Sequence, residues 1–122
     1  GIGITSPQAQ LQVKQLGINV NQSSVTSTSQ YACDSMSATV FRSSRYTVQI
    51  TNVTDSTYQI TEILLIHDGT TPSITEYGTI FTGSAAEATF DADITSGNVR
   101  LLATPASTDS MQFKVVRHSI LV

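Results

Sequence analysis

Charge is scarce in this chain of 122 residues. Asp, Glu, Lys and Arg make up 12% of it, about half the roughly 25% usual in soluble domains. The 6 basic residues are scattered among 9 acids for a net charge of −3, so no basic stripe exists to neutralise phosphates, which argues against nucleic acid as a partner. Trp is absent and Cys occurs once, as Cys33, so no internal disulfide can brace the fold. Asp34 beside it and the lack of a basic neighbour give no reason for a lowered thiol pKa, and a buried, inert cysteine is expected. The longest apolar run, Ile63 to Ile66, falls far short of the roughly 20 residues of a membrane helix, and no membrane insertion is expected. No secretory signal pattern is visible. The chain opens on Gly1 and ends on Ser119-Ile120-Leu121-Val122, and reads as a processed product or the C-terminal part of something longer.

What the chain has instead is hydroxyl: 16 Ser and 18 Thr. Thr, Val, Ile and Tyr dominate the body, and their branched or aromatic side chains suit a pleated, half-buried surface. Helical spacing of apolar residues is interrupted everywhere by Thr and Gly, whereas alternation is frequent. Tyr46, Val48 and Ile50 share one face of a strand with Thr47, Gln49 and Thr51 on the other. Ala88, Phe90, Ala92 and Ile94 alternate with Thr89, Asp91, Asp93 and Thr95. The run Ile63-Leu64-Leu65-Ile66 is apolar on both faces, which predicts a central strand in a sheet covered on both sides. Asp68-Gly69 predicts a hairpin turn, and Gly78 inside Ser73 to Thr82 a bulge or close backbone approach. About seven strands spaced near ten residues predict an all-β fold, an antiparallel β-sandwich over residues 31–122. Residues 1–30 read differently. Gly1, Gly3 and Pro7 mark an extended arm, and Asn21 to Gln30, polar with one apolar residue, reads as a linker.

Few constellations invite chemistry. Asp91 and Asp93 share a strand face, the spacing of some paired-carboxylate sites, but Phe90 and Ala92 already account for them as the polar half of an alternation. His67-Asp68 lies across opposite faces of a strand and so cannot align as base and orienter. Thr82-Gly83-Ser84 lacks the second Gly of a nucleophile elbow. The His residues, His67 and His118, stand far apart, and one Cys cannot build a zinc cluster. Asn21-Gln22-Ser23 and Asn52-Val53-Thr54 match the glycosylation pattern but read as polar turn residues. Catalytic, metal and cofactor sites are therefore expected to be none. Tyr58, His67 and Tyr77, with Arg42 and Arg45, are the candidate surface-binding residues, offering aromatic faces and hydrogen-bonding groups to a sugar or a protein. The competing reading makes the tyrosines half-buried sheet residues.

Gly1-Ile2-Gly3-Ile4-Thr5-Ser6-Pro7, followed by Leu11-Gln12-Val13, resembles the Gly-Ile-Gly-x-Thr-Ser-Pro…Leu-x-Val segment of phage tail-fibre shafts and related trimeric fibrous proteins, with Ile4 where Thr is more usual. The stretch from Phe41 to Ile120, including Glu62-Ile63-Leu64-Leu65-Ile66-His67-Asp68-Gly69-Thr70, Thr75-Glu76-Tyr77-Gly78 and Gly97-Asn98-Val99-Arg100-Leu101-Leu102, is similar to β-rich modules in virion structural and tail-fibre-like proteins of tailed phages, notably those of marine cyanobacteria. The resemblance implies a non-enzymatic virion protein made in the host bacterial cytoplasm. It implies a homotrimer with the arm wound about a threefold axis, and as partners other virion proteins and a host surface glycan or protein. Ile2, Ile4, Leu11 and Val13 would then be the oligomer contacts, since so slight an arm cannot bury its own apolar side chains and an axis between like chains can. A capsid-surface decoration or neck protein of purely structural role is the alternative, and a small glycan hydrolase a more distant one.

Overall fold

The structure is a computed structural model that describes residues 1–122. It contains nine strands: β1 (Leu11–Val13), β2 (Leu16–Val25), β3 (Tyr31–Ser37), β4 (Phe41–Asn52), β5 (Thr57–His67), β6 (Pro72–Phe81), β7 (Ala88–Thr95), β8 (Asn98–Pro105) and β9 (Met111–Leu121). They form a six-stranded sheet in the order β1-β2-β9-β4-β5-β6 and a three-stranded sheet in the order β3-β8-β7. All strand pairs are antiparallel. The alternation therefore delivers the all-β sandwich it predicts.

Each strand contributes every second side chain to the space between the sheets. From the large sheet come Tyr46, Val48 and Ile50 of β4, Ile63 and Leu65 of β5, and Met111, Phe113 and Val115 of β9. Val99, Leu101 and Ala103 of β8 meet them from the small sheet, with Cys33 and Met36 of β3. Burial pushes the Cys33 thiol up to about 12, helped by the charge of Asp34, as an inert core cysteine requires. One ion pair joins the sheets inside. Arg117 of β9 reaches Asp34 of β3 with both side chains buried, donates to the Ser35 carbonyl at 2.8 Å and through Nε to Ser119 Oγ at 2.9 Å, and lies over the Phe41 ring.

Turn chemistry follows the glycines. Ser96 and Gly97, with φ of 51° and 78°, close the tight β7–β8 hairpin at the Thr95↔Asn98 pair, the positive-φ pairing of a primed turn. Asp68-Gly69 also sits in a hairpin, but in a wider loop closed by the His67↔Pro72 pair. There Asp68 Oδ1 accepts the Thr70 and Thr71 amides at 2.9 and 2.8 Å. Gly78, with φ of 65°, lies where the β5–β6 register shifts between Ile60 and Glu62, which is the expected bulge.

Two expectations require correction. Asn21 to Val25 of the expected Asn21–Gln30 linker belong to a strand: β2 pairs with β9 from Leu16↔Ile120 to Val25↔Met111. Its polar composition misleads because the β9 edge offers unpaired N–H and C=O groups that bind backbone whatever the side chain. The arm is tied down as well. Gln12 is fully buried, donating to the Lys14 carbonyl at 2.7 Å and accepting the Gln8 amide, and a Cβ on Gly17 would meet the Phe41 ring and Ala9 at 2.9 Å. The first thirty residues are thus hydrogen-bonded to the rest of the chain through β2. The second correction concerns Ile63 to Ile66. Ile63 and Leu65 are core, but Leu64 and Ile66 are 46% and 56% exposed, because the small sheet covers only one face of the large one.

Gly17→Val should force β2 off Phe41 and cost roughly 1–3 kcal/mol, read as a lower urea midpoint, whereas an independent arm would leave the midpoint unchanged. Asp34→Ala should cost about 3–5 kcal/mol because it strands the buried Arg117 charge, measured by the same titration.

Candidate functional site

The uncovered face of the six-stranded sheet is the largest feature the core does not explain. Its register arranges the outward side chains in rows across the strands. One row runs Val13, Leu16, Ile120, Ser43, Ile66 and Ser73, and the next runs Leu11, Ile18, His118, Arg45, Leu64 and Thr75. Below them lie Val20, Val116, Thr47, Glu62 and Tyr77, then Gln22, Lys114, Gln49, Ile60 and Ile80. Most of the exposed large apolar side chains of the molecule fall on these rows, including Ile80, Val20 and Ile120. Arg45, Glu62 and Lys114 are the full charges among them. Where the first rows meet, the sheet forms a groove of about 650 Å³ whose lining includes Leu16, Leu64, Ile66 and Ile120, with Arg45, His118 and the hydroxyls of Ser43, Ser73 and Thr75 among its polar members.

The expected oligomer contacts fall partly on this face. Leu11 and Val13 extend its first two rows on β1 and are exposed, and Ile2, also exposed, bridges to Val13 through a short parallel contact. Ile4 is half-buried. Of the expected surface-binding residues, Tyr58 and Tyr77 are exposed on the same face, on β5 and β6.

His67 is a correction. It is 4% exposed, pointing inward because it shares the parity of Ile63 and Leu65. Its Nε2–H donates to the Phe41 carbonyl at 2.6 Å while Nδ1 accepts the Gly69 amide at 2.9 Å, so it pins the β5–β6 loop to the start of β4. Arg42 joins this anchor, donating to the His67 carbonyl at 3.1 Å.

The acids are engaged locally. Arg100 clasps both oxygens of Asp93, with Nε at 2.7 Å from Oδ1, and these hydrogen bonds hold the Asp93 carboxyl below the usual range; Asp91 is exposed and caps the Ala92 amide at 2.8 Å. A polar cluster that the spacing did not announce sits where the β4–β5, β6–β7 and β8–β9 loops converge. Glu87, buried, accepts Thr57 Oγ1 at 2.7 Å and Asn52 Nδ2 at 3.1 Å, and its amide donates to Gln59 Oε1 at 2.6 Å. Asn52 Nδ2 also donates to Asp109 at 2.9 Å, which occupies the amide that the glycosylation pattern would need. The hydrogen bond from Asn52 lowers Asp109, and the charge of Asp109 in turn raises Asp55. Glu87 follows only small residues, Gly83 to Ala86, so nothing local marks it. No three His, Cys, Asp or Glu side chains are grouped to hold a metal ion.

The architecture is that of an antiparallel sandwich of unequal sheets with one bare apolar face. No protein-family model and no curated protein matches the sequence. Among solved structures, the fold is similar to part of the tailspike protein of Acinetobacter baumannii phage AM24, with a TM-score of 0.51 over 88% of this chain and 26% of that one at 6% identity. The tailspike protein of Acinetobacter phage vB_ApiP_P1 aligns over 99% of this chain and 24% of its own at 20% identity, with a TM-score of 0.46, too loose a superposition to argue from. The chain spans about a quarter of the length of either tailspike, and at these identities the likeness is one of fold.

His67→Ala removes both bonds of the loop anchor and should cost roughly 2–3 kcal/mol, read by thermal or urea unfolding. Asp68 adds an acid-limb dependence. The Thr71 and Thr70 amides hold its folded pKa below the usual carboxylate range, so its contribution is complete above the unfolded pKa and is lost as pH falls through the lowered folded one. Asp68→Asn, which keeps the acceptor and removes the titration, should make that limb shallower in acid unfolding curves, leaving the share carried by Asp93 and Asp109.

Proposed function

We propose that the chain is a non-enzymatic structural module of a phage tail appendage. It works within a homotrimer on the virion and contributes to contact with a host surface glycan or protein, or with neighbouring virion proteins. The observation that carries this reading is the fold likeness to a segment of a tailspike, which agrees with the fibre-like Gly-Ile-Gly-Ile-Thr-Ser-Pro opening. The bare apolar face of the large sheet supports association, because an isolated domain has no use for so much apolar side chain in water. The state of the Asp91 and Asp93 pair supports a role without catalysis on that strand face. Asp93 is held ionised by Arg100, the reverse of the raised pKa that a general acid needs, and Asp91 stands in solvent on a strand face.

Gold-labelled antibody against the chain, applied to intact particles, should decorate the tail or its fibres. Label spread over the capsid would overturn this reading in favour of a surface decoration protein.

A further inference from the structure

We propose that the outer face of the six-stranded sheet is the surface through which copies of this chain associate, with Leu64, Ile66 and Ile120 at its centre. This rests on the homotrimer proposed above and locates its contact on the sheet rather than on the arm alone.

Area and composition both select a second copy as the occupant. The exposed apolar side chains of these rows, each about half uncovered, present on the order of 800 Å² together. Spread over four rows among polar neighbours, that is comparable with the roughly 800 Å² that each partner brings to a standard interface. Symmetry duplicates every charge at a self-contact, so a surface that meets its own copies must be poor in charge or carry both signs. This face does both. Glu62 lies one row from Arg45 and one row from Lys114, so opposite charges are available to pair between copies. The groove beside Leu16, Leu64, Ile66 and Ile120 is mostly apolar, which suits an entering aliphatic side chain better than a hydroxylated sugar. The face is continuous with Ile2, Leu11 and Val13, so one surface takes in both the sheet and the ordered arm. By contrast the outer side of the small sheet carries Thr89, Asp91 and Asp93 of β7 opposite Thr104 and Arg100 of β8, with its one large apolar side chain there, Leu102, buried.

The test is light scattering on the full chain at tens of micromolar, comparing wild type, Ile66→Asp with Ile120→Asp, and the small-sheet control Thr89→Glu. Wild type and Thr89→Glu should give the mass of a trimer, and the double variant a threefold lower mass with the far-UV spectrum and melting point of a folded chain. Should the double variant fail to fold, Val116→Glu on the third row provides the same reading. A double variant that stays trimeric overturns the inference while leaving the homotrimer standing, with its contact elsewhere. A monomeric wild type overturns both the inference and the trimer, and leaves a different partner to cover the face.

Discussion

A sheet has two faces, and this chain carries material to cover only one of them. Six strands lie in the large sheet and three in the small one, so the side chains between them form a closed core while those beyond the large sheet meet no second layer of their own chain. Alternation along each strand turns this mismatch into chemistry. Ile63 and Leu65 are sealed in, and their neighbours Leu64 and Ile66 are not. The exposed tyrosines, Tyr58 and Tyr77, both lie on that second face.

The interior is held in register by polar groups as well as by apolar contact. Arg117 crosses from the large sheet to Asp34 and Ser35 on the small one, and Ser119, which accepts its Nε, is hydrogen-bonded to Ser44 at 2.8 Å. Desolvation offsets much of the attraction in such a pair, so it adds little net stability while the loss of either partner is costly. Toward the β5–β6 side, Thr61 meets Glu76 and Thr79, each at 2.7 Å, where the Gly78 bulge bends the edge strand. Hydroxyls thus do inside the sandwich what they do on its surface: they satisfy polar groups without introducing net charge.

Much of the fold was legible because its strands are half-buried and alternate. Tyr46 to Ile50 and Ala88 to Thr95 announce their faces by parity alone, and Gly78 announces its bend by the positive φ that it tolerates. The polar strand β2 was not legible, because pairing with β9 uses backbone groups that all residue types share. The bare face was hidden for a related reason. The run Ile63 to Ile66 looks the same whether its outer side chains meet another layer of the same chain or a separate molecule, and no periodicity distinguishes the two. His67 looked like a surface group beside a turn, and only the parity of β5 together with the Phe41 carbonyl shows it to be an internal anchor. The cluster around Glu87 is assembled from loops remote in sequence, which no local motif could reveal.

The central claim, that the outer face of the large sheet is covered in the working protein, is tested most directly by methyl NMR with a soluble paramagnetic probe. On this account the methyl groups of Leu64, Ile66 and Ile120 are shielded from the probe at concentrations where the chain is associated and become accessible on dilution, while those of Thr89 and Thr104 on the small sheet relax equally at both. Equal and full accessibility of the Leu64, Ile66 and Ile120 methyls at every concentration would contradict it.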